Sequence, residues 1–217
     1  MAAKSKETPE ALKNRAKKIV NRLQKAYPDS KCSLDFKTPL QLLMATILSA
    51  QCTDERVNKV TPALFKKYKS SKAFAAANPE ELEEMVRSTG FYRNKAKSIL
   101  KCAATIEQQH GGKMPETMEA LVKLPGVGRK TANVLLGNVF GVPGIVVDTH
   151  VKRLSGRLGL TANTDPVKIE QDLNPIIPQK DWTIFSHRLI DHGRAVCQAK
   201  KPACDECILA DLCPAVS

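Results

Sequence analysis

The stretch Pro39–Ala50, PLQLLMATILSA, is apolar nearly all the way round a helical wheel. A helix of that kind has no solvent face and belongs at the centre of a helical bundle. Thr38-Pro39 opens it as N-cap and first-position proline. Gln51-Cys52-Thr53-Asp54 closes it with polar residues suited to a turn and a new cap. Most of the remaining chain reads helical as well. Leu12, Ala16, Ile19, Val20, Leu23 and Tyr27 recur mostly at steps of three and four, which predicts one apolar stripe over Glu10–Tyr27. Further helices are predicted over Asp54–Tyr68, Pro79–Ser88 (capped by Asn78), Arg93–Gln109, Thr117–Lys123 and Thr131–Val139. Gly111-Gly112 ends the third of these. Later, Asp148 or Thr149 caps a helix through Leu158, Asp165-Pro166 opens another, and Trp182–Val196 is the last. The β-branched run Ile145-Val146-Val147 is too short and isolated for a sheet, and the first nine residues read as a frayed polar tail. With short links and no alternating pattern, the predicted fold is all-α.

Charge narrows the partner. Lys and Arg number 34 against 22 Asp and Glu, a formal net charge of +12. Such an excess favours a polyanion, nucleic acid ahead of an acidic membrane surface. Up to Lys25 alone the chain carries eight Lys/Arg against two Glu, although a charged helix face is ordinarily just solvated. No stretch approaches the ~18–20 apolar residues that cross a bilayer, and the start has no apolar core of a secretory signal. The expectation is cytoplasmic residence without a membrane partner, and hence cysteines that are thiols or metal ligands rather than disulfides. Cys32, Cys52 and Cys102 stand alone and read as buried, inert thiols.

Three features carry chemistry. In Leu124–Gly141, LPGVGRKTANVLLGNVFG, Gly126 and Gly128 flank Val127 just before a helix, with Arg129 and Lys130 at its mouth. Glycines there permit unusual backbone conformations and close approach, and consecutive N–H groups at a helix N-terminus form an anion site. With the helices on either side, this is a helix-hairpin-helix, which grips DNA phosphates without reading bases; the plain alternative is a tight turn. The second feature is Cys197, Cys204, Cys207 and Cys213, with gaps of six, two and five residues. Crowded thiolates repel one another unless a cation neutralises them. The gaps fit neither paired zinc knuckles nor the common ferredoxin spacings, so zinc and an iron–sulfur cluster both stay open. The third is Lys130 with Asp148. Beside an anion site a lysine is ordinarily a phosphate partner, and Asp148 reads locally as a cap. A lysine made partly neutral by burial or cationic neighbours can instead attack a carbonyl-like carbon.

LPGVGRKTA, then VDTHVKR, then the four-cysteine tail resemble the endonuclease III family of DNA glycosylases, and SAQCTD at Ser49–Asp54 and HGRAVC at His192–Cys197 are similar to the same family. The matches run in order from about residue 10 to 213, nearly the whole chain. The resemblance implies two helical domains with DNA in the cleft between them. One is a six-helix barrel with the helix-hairpin-helix, residues 33–142; the other joins residues 1–32 to 143–217 and carries a [4Fe–4S] cluster on Cys197, Cys204, Cys207 and Cys213. It implies that Lys130 is the nucleophile, attacking C1′ of the damaged nucleotide and expelling the base. Asp148 stabilises the positive charge developing at the sugar and helps to deprotonate the lysine. The resulting Schiff base acidifies the C2′ proton, so β-elimination cuts the strand on the 3′ side. The nucleotide must first be flipped out, at a cost of roughly a few kcal/mol. The resemblance places Gln51 in the vacated space and Phe91, where leucine is more usual, as the wedge. It sets His150 near the pocket, Gly126, Val127, Gly128 and Arg129 on DNA, and Lys200 and Lys201 on phosphates.

The expected activity is therefore that of a bifunctional glycosylase/AP lyase of base excision repair. It would act as a monomer, in a bacterial cytoplasm at the nucleoid, on double-stranded DNA with oxidised pyrimidines or abasic sites. Two rivals remain. An adenine-type glycosylase of the same superfamily shares hairpin, aspartate and cluster but lacks the lysine and usually adds a C-terminal domain, whereas this chain ends four residues after Cys213. A non-catalytic, redox-sensing DNA-binding module would use the hairpin and cluster alone.

Overall fold

The structure is a computed structural model that describes residues 7–216. It contains eleven α-helices and no strand among the described residues. The chain divides into two compact units, Cys32–Val142 and Met1–Lys31 with Pro143–Ser217.

Within Cys32–Val142 the helices are α2 (Pro39–Leu48), α3 (Asp54–Lys67), α4 (Ser71–Ala75), α5 (Pro79–Val86), α6 (Tyr92–His110), α7 (Met118–Leu121) and α8 (Arg129–Val139). As its composition requires, α2 is buried from Leu42 to Leu48 and packs on α3, α6 and α8. Thr38 Oγ1 caps it by accepting from Gln41 N at 3.2 Å, and Thr53 Oγ1 caps α3 by accepting from Arg56 N at 3.3 Å. Short α4 has no long apolar repeat to announce it; Ser70 caps it and Phe74 anchors it in the core beside α6. Glycine ends α6, with Gly111 left-handed and Gly112 N donating to Ile106 O at 3.1 Å.

The other unit consists of α1 (Pro9–Ala26), α9 (Thr149–Arg157), α10 (Pro166–Leu173), α11 (Trp182–Ala195) and the cysteine segment. Its core gathers Ala16, Ile19, Val20 and Leu23 of α1 with Val151, Leu154, Leu173, Phe185 and Leu189. Burying each Leu- or Phe-sized side chain contributes about 1.5–3 kcal/mol. Ile145-Val146-Val147 is buried and extended but forms no sheet; Val146 N donates instead to Ser186 Oγ at 2.9 Å.

Three expectations need correction. The polar start is not wholly frayed: Thr8 caps α1 and Glu7 pairs with Arg15, while residues 1–6 of that reading lie outside the described residues. The charged face of α1 is not simply solvated either. Arg15 Nη1 donates to Leu158 O and Leu212 O at 2.6 and 3.1 Å, and Arg22 ion-pairs with Asp211. Of the solitary thiols only Cys102 is fully buried, and burial pushes it up to about 12; Cys32 and Cys52 are half-buried.

Candidate nucleic-acid and iron–sulfur sites

The hairpin is held by its own small core. Leu121, Leu124 and Val127 are buried, and Val127 N donates to Leu124 O at 3.1 Å. Val127 therefore has neither a free backbone N–H nor an exposed side chain to give a ligand, and its task is to anchor the turn. The two glycines differ. Gly126 has φ +81°, and a Cβ there would lie 3.0 Å from Ser98 Cβ, so the fold itself requires glycine. Gly128 has an ordinary φ of −97°, and a Cβ there would meet nothing within 4 Å. Nothing inside the chain demands glycine at 128, yet the residue leaves bare backbone at the N-terminus of α8.

That helix begins at Arg129, two residues earlier than periodicity predicts, because Gly128 is its N-cap. Arg129 and Lys130 thus occupy the first turn, where N–H groups have no intrahelical acceptor and the helix dipole is positive. Both are exposed.

Gln51 and Phe91 share a feature that no helical pattern foretells. They are the two non-glycine residues with positive φ among the described residues, at 52° and 48°. Both are exposed, and Phe91 is 63 % exposed, the largest value among the big hydrophobic side chains of the described residues. A left-handed backbone costs a side-chain-bearing residue roughly 1–3 kcal/mol and persists only where surrounding structure enforces it. Here Lys95 does part of that. It is 5 % exposed in the first turn of α6, with Nζ donating to Thr89 O at 2.7 Å and its own N–H to Phe91 O at 3.1 Å. Burial pulls its ammonium below the usual lysine range, and Cys52, next to Gln51, acts in the opposite direction. One buried lysine therefore holds the Phe91 turn and lies within electrostatic reach of the Gln51 turn. Sequence reading passed it over because a lysine in a polar first turn looks solvated.

In the other unit Asp148 is both a cap and more than a cap. Its Oδ1 accepts from Val151 N at 2.8 Å, closing the start of α9, while Oδ2 meets His150 Nδ1 at 2.9 Å. Each carboxylate oxygen accepts two hydrogen bonds, so capping leaves capacity for a further partner. His187 of α11 lies within electrostatic reach of Asp148 and Asp191; burial nevertheless pulls its imidazole below the usual range. It had no motif to mark it.

Cys197, Cys204, Cys207 and Cys213 line one cavity of about 240 Å³. Burial raises the Cys207 thiol above its usual range and the other three cysteines add to this, while Leu209 N, donating at 3.4 Å, opposes it. Arg157 Nη1 donates to Cys197 Sγ at 3.2 Å and to Gln198 O at 2.8 Å, and Nη2 donates to Ala199 O at 2.7 Å. The loop bearing exposed Lys200 and Lys201 is thereby pinned at its root. His192 places Nε2 3.4 Å from Cys207 Sγ, and its Nδ1 lies 2.9 Å from the Tyr27 hydroxyl. If Tyr27 donates, Nε2 carries the proton and faces the sulfur. The four thiols share this one cavity, and a lining of four cysteines fits an iron–sulfur cluster.

Comparison with known proteins agrees. Residues 44–179 match the model of the HhH-GPD superfamily base excision DNA repair protein, and 197–213 match the iron-sulfur binding domain of endonuclease III. Endonuclease III of Synechocystis sp. is 59 % identical over 203 residues, spanning 93 % of each chain. The chain belongs to the endonuclease III family. Endonuclease III of Escherichia coli K12 is 40 % identical over 202 residues, covering 92 % of this chain and 96 % of that one. A solved structure of a trapped endonuclease III–DNA covalent intermediate superposes with a TM-score of 0.90 at 45 % identity, covering 94 % of this chain and 96 % of that chain. This member of the endonuclease III family is a DNA glycosylase with AP lyase activity in base excision repair, it carries a [4Fe–4S] cluster, and its partner is DNA. No described helix is long and apolar enough to cross a membrane.

Proposed function

We propose that the enzyme excises oxidised pyrimidines from double-stranded DNA, and cleaves abasic sites, with Lys130 as nucleophile and Asp148 as its partner. The observation that carries this reading is the placement of Lys130: exposed, in the first turn of α8, two residues after a glycine that the fold does not need. A phosphate seated at the Gly126–Gly128 turn and the N-terminus of α8 brings the sugar of a flipped nucleotide to the lysine. Neutral Nζ attacks C1′, the bond from C1′ to the base breaks, and the base leaves with the electron pair. Asp148 takes the lysine proton and opposes the positive charge at the sugar. Opening of the sugar ring at the C1′–O4′ bond, with O4′ taking up a proton, turns the lysine adduct into a Schiff base that makes the C2′ proton acidic; its removal expels the 3′ phosphate oxygen and nicks the strand. His150, bonded to Asp148, orients that carboxylate.

Flipping falls to Gln51 and Phe91, whose exposed left-handed turns are supported from within the unit. Phe91 wedges the stack and Gln51 enters the vacated space. Cys197, Cys204, Cys207 and Cys213 ligate the cluster, which when bound supplies a redox-tunable structural cross-link. The loop between the first two presents Lys200 and Lys201 to backbone phosphates. Residues 33–142 form the barrel with the hairpin, and the N- and C-terminal segments form the cluster domain. The protein acts as a monomer at the bacterial nucleoid in the cytoplasm.

Borohydride trapping on duplex DNA with one oxidised pyrimidine tests the assignment. Wild-type protein should give a covalent adduct, and Lys130→Ala none, with turnover down roughly 10⁴-fold or more. Asp148→Asn should lower single-turnover rates by ~10²–10⁴ while DNA binding is kept. An adduct formed by Lys130→Ala would remove the lysine from its role. Trapping on abasic but never on oxidised-pyrimidine DNA would remove the substrate claim.

A further inference from the structure

Arg188 of α11 is 7 % exposed, and its Nε and Nη1 are buried without a hydrogen-bond partner among the described residues. A guanidinium stays charged throughout the physiological range and holds its donors in a rigid fork. Leaving such a charge buried and unpaired is among the costliest arrangements a fold can keep. The nearby carboxylate of Asp191, one turn further along α11, accepts from Ser30 Oγ at 2.5 Å. The same Arg188 lines a surface cavity of about 500 Å³ with Asn21, Gln24, Lys25 and Pro28, all from α1 and the turn after it. Its lining carries two cations, two carboxamides and no carboxylate.

We propose that this cavity binds a phosphoryl group attached to a sugar. Arg188 and Lys25 bring positive charge to this cavity from two elements, a pairing that suits a tetrahedral oxyanion. The volume lies in the ~300–1,000 Å³ range of small-molecule sites, more than a bare oxyanion fills. Asn21 and Gln24 each offer donors and an acceptor, the pairing a sugar hydroxyl needs. Two sources carry this chemistry, a free nucleotide and the backbone of a DNA strand. The site lies on α1 and α11 and shares no residue with the lysine chemistry above.

Purified, cluster-loaded protein tests it, using wild type, Arg188→Met and Lys25→Met. At fixed ionic strength, AMP should raise the wild-type Tm saturably above the chloride control, and both variants should lose that rise. In chloride alone Arg188→Met should melt at or above wild type, since an unpaired buried charge is replaced by an apolar chain of similar length. Undamaged duplex separates the sources. A log–log salt slope shallower by about 0.9 in Arg188→Met identifies a DNA phosphate; an unchanged slope with AMP saturation identifies the free nucleotide. Borohydride trapping on saturating DNA should be equal in all three proteins, so failure here leaves the Lys130 assignment untouched. The proposal is overturned if AMP, inorganic phosphate and salt act alike on wild type and Arg188→Met, or if Arg188→Met melts lower by the same amount in every buffer.

Discussion

The hairpin at Leu124–Lys130 and the segment Cys197–Cys213 are both short, irregular and exposed in part, yet they are held in different ways. The hairpin is fastened by the chain: Leu121, Leu124 and Val127 are buried under it, and Gly126 closes on Ser98. The cysteine segment buries little besides Leu209, and its four thiols line one cavity. One region stores its shape in packing, the other in coordination.

Removing the cluster should separate them most sharply. Cys207→Ser, or oxidative loss of iron, should abolish the broad visible absorbance. It should also expose amides across Cys197–Cys213 to fast hydrogen exchange, since structural metal centres contribute folding free energy directly. Exchange in Leu124–Lys130 should be unchanged. Equal loosening of both regions would erase the distinction.

The paired glycines test the hairpin from the other side. Gly126→Ala forces a side chain into φ +81° and against Ser98, and should cost about 1–3 kcal/mol in denaturant unfolding. Gly128→Ala meets no atom and an ordinary φ, so stability should change by less than about 1 kcal/mol. Its effect should fall instead on undamaged-duplex affinity, several-fold weaker, because a methyl now shields the helix end. If Gly128→Ala binds as wild type does, the backbone there is not the phosphate site.

This pair also shows where sequence reading stops. The GxG spacing marks both glycines alike, but only atomic surroundings reveal that one serves the fold and the other leaves open backbone. The all-helical architecture was legible because α2 is apolar all round and the caps Thr38, Thr53, Asn78 and Asp165 announce their helices. Short α4 was not, since five residues carry too little period. The cysteine spacing alone left zinc and iron–sulfur level; the family match decides it. Lys95, His187 and Arg188 were illegible for one shared reason. Their chemistry comes from burial, which polar side chains on mixed helix faces do not advertise.

His187 supplies the smallest effect and a last check on which groups the fold buries. Its imidazole is held below the usual range by burial, with Asp191 and Asp148 pulling the other way. The unfolded chain therefore binds this proton first as pH falls through about 6.5. Above that value both states are neutral here, and the residue adds no pH dependence. Below it stability declines, by at most about 1.4 kcal/mol per pH unit from this group, until the folded imidazole is protonated too. Urea unfolding of the cluster-loaded protein between pH 5.5 and 8 should show that acid slope, and His187→Gln should make it shallower while leaving the neutral plateau flat. An unaltered slope would mean that His187 is solvated in the folded protein, and that the buried histidine behind the acid sensitivity is His192, whose imidazole burial also lowers.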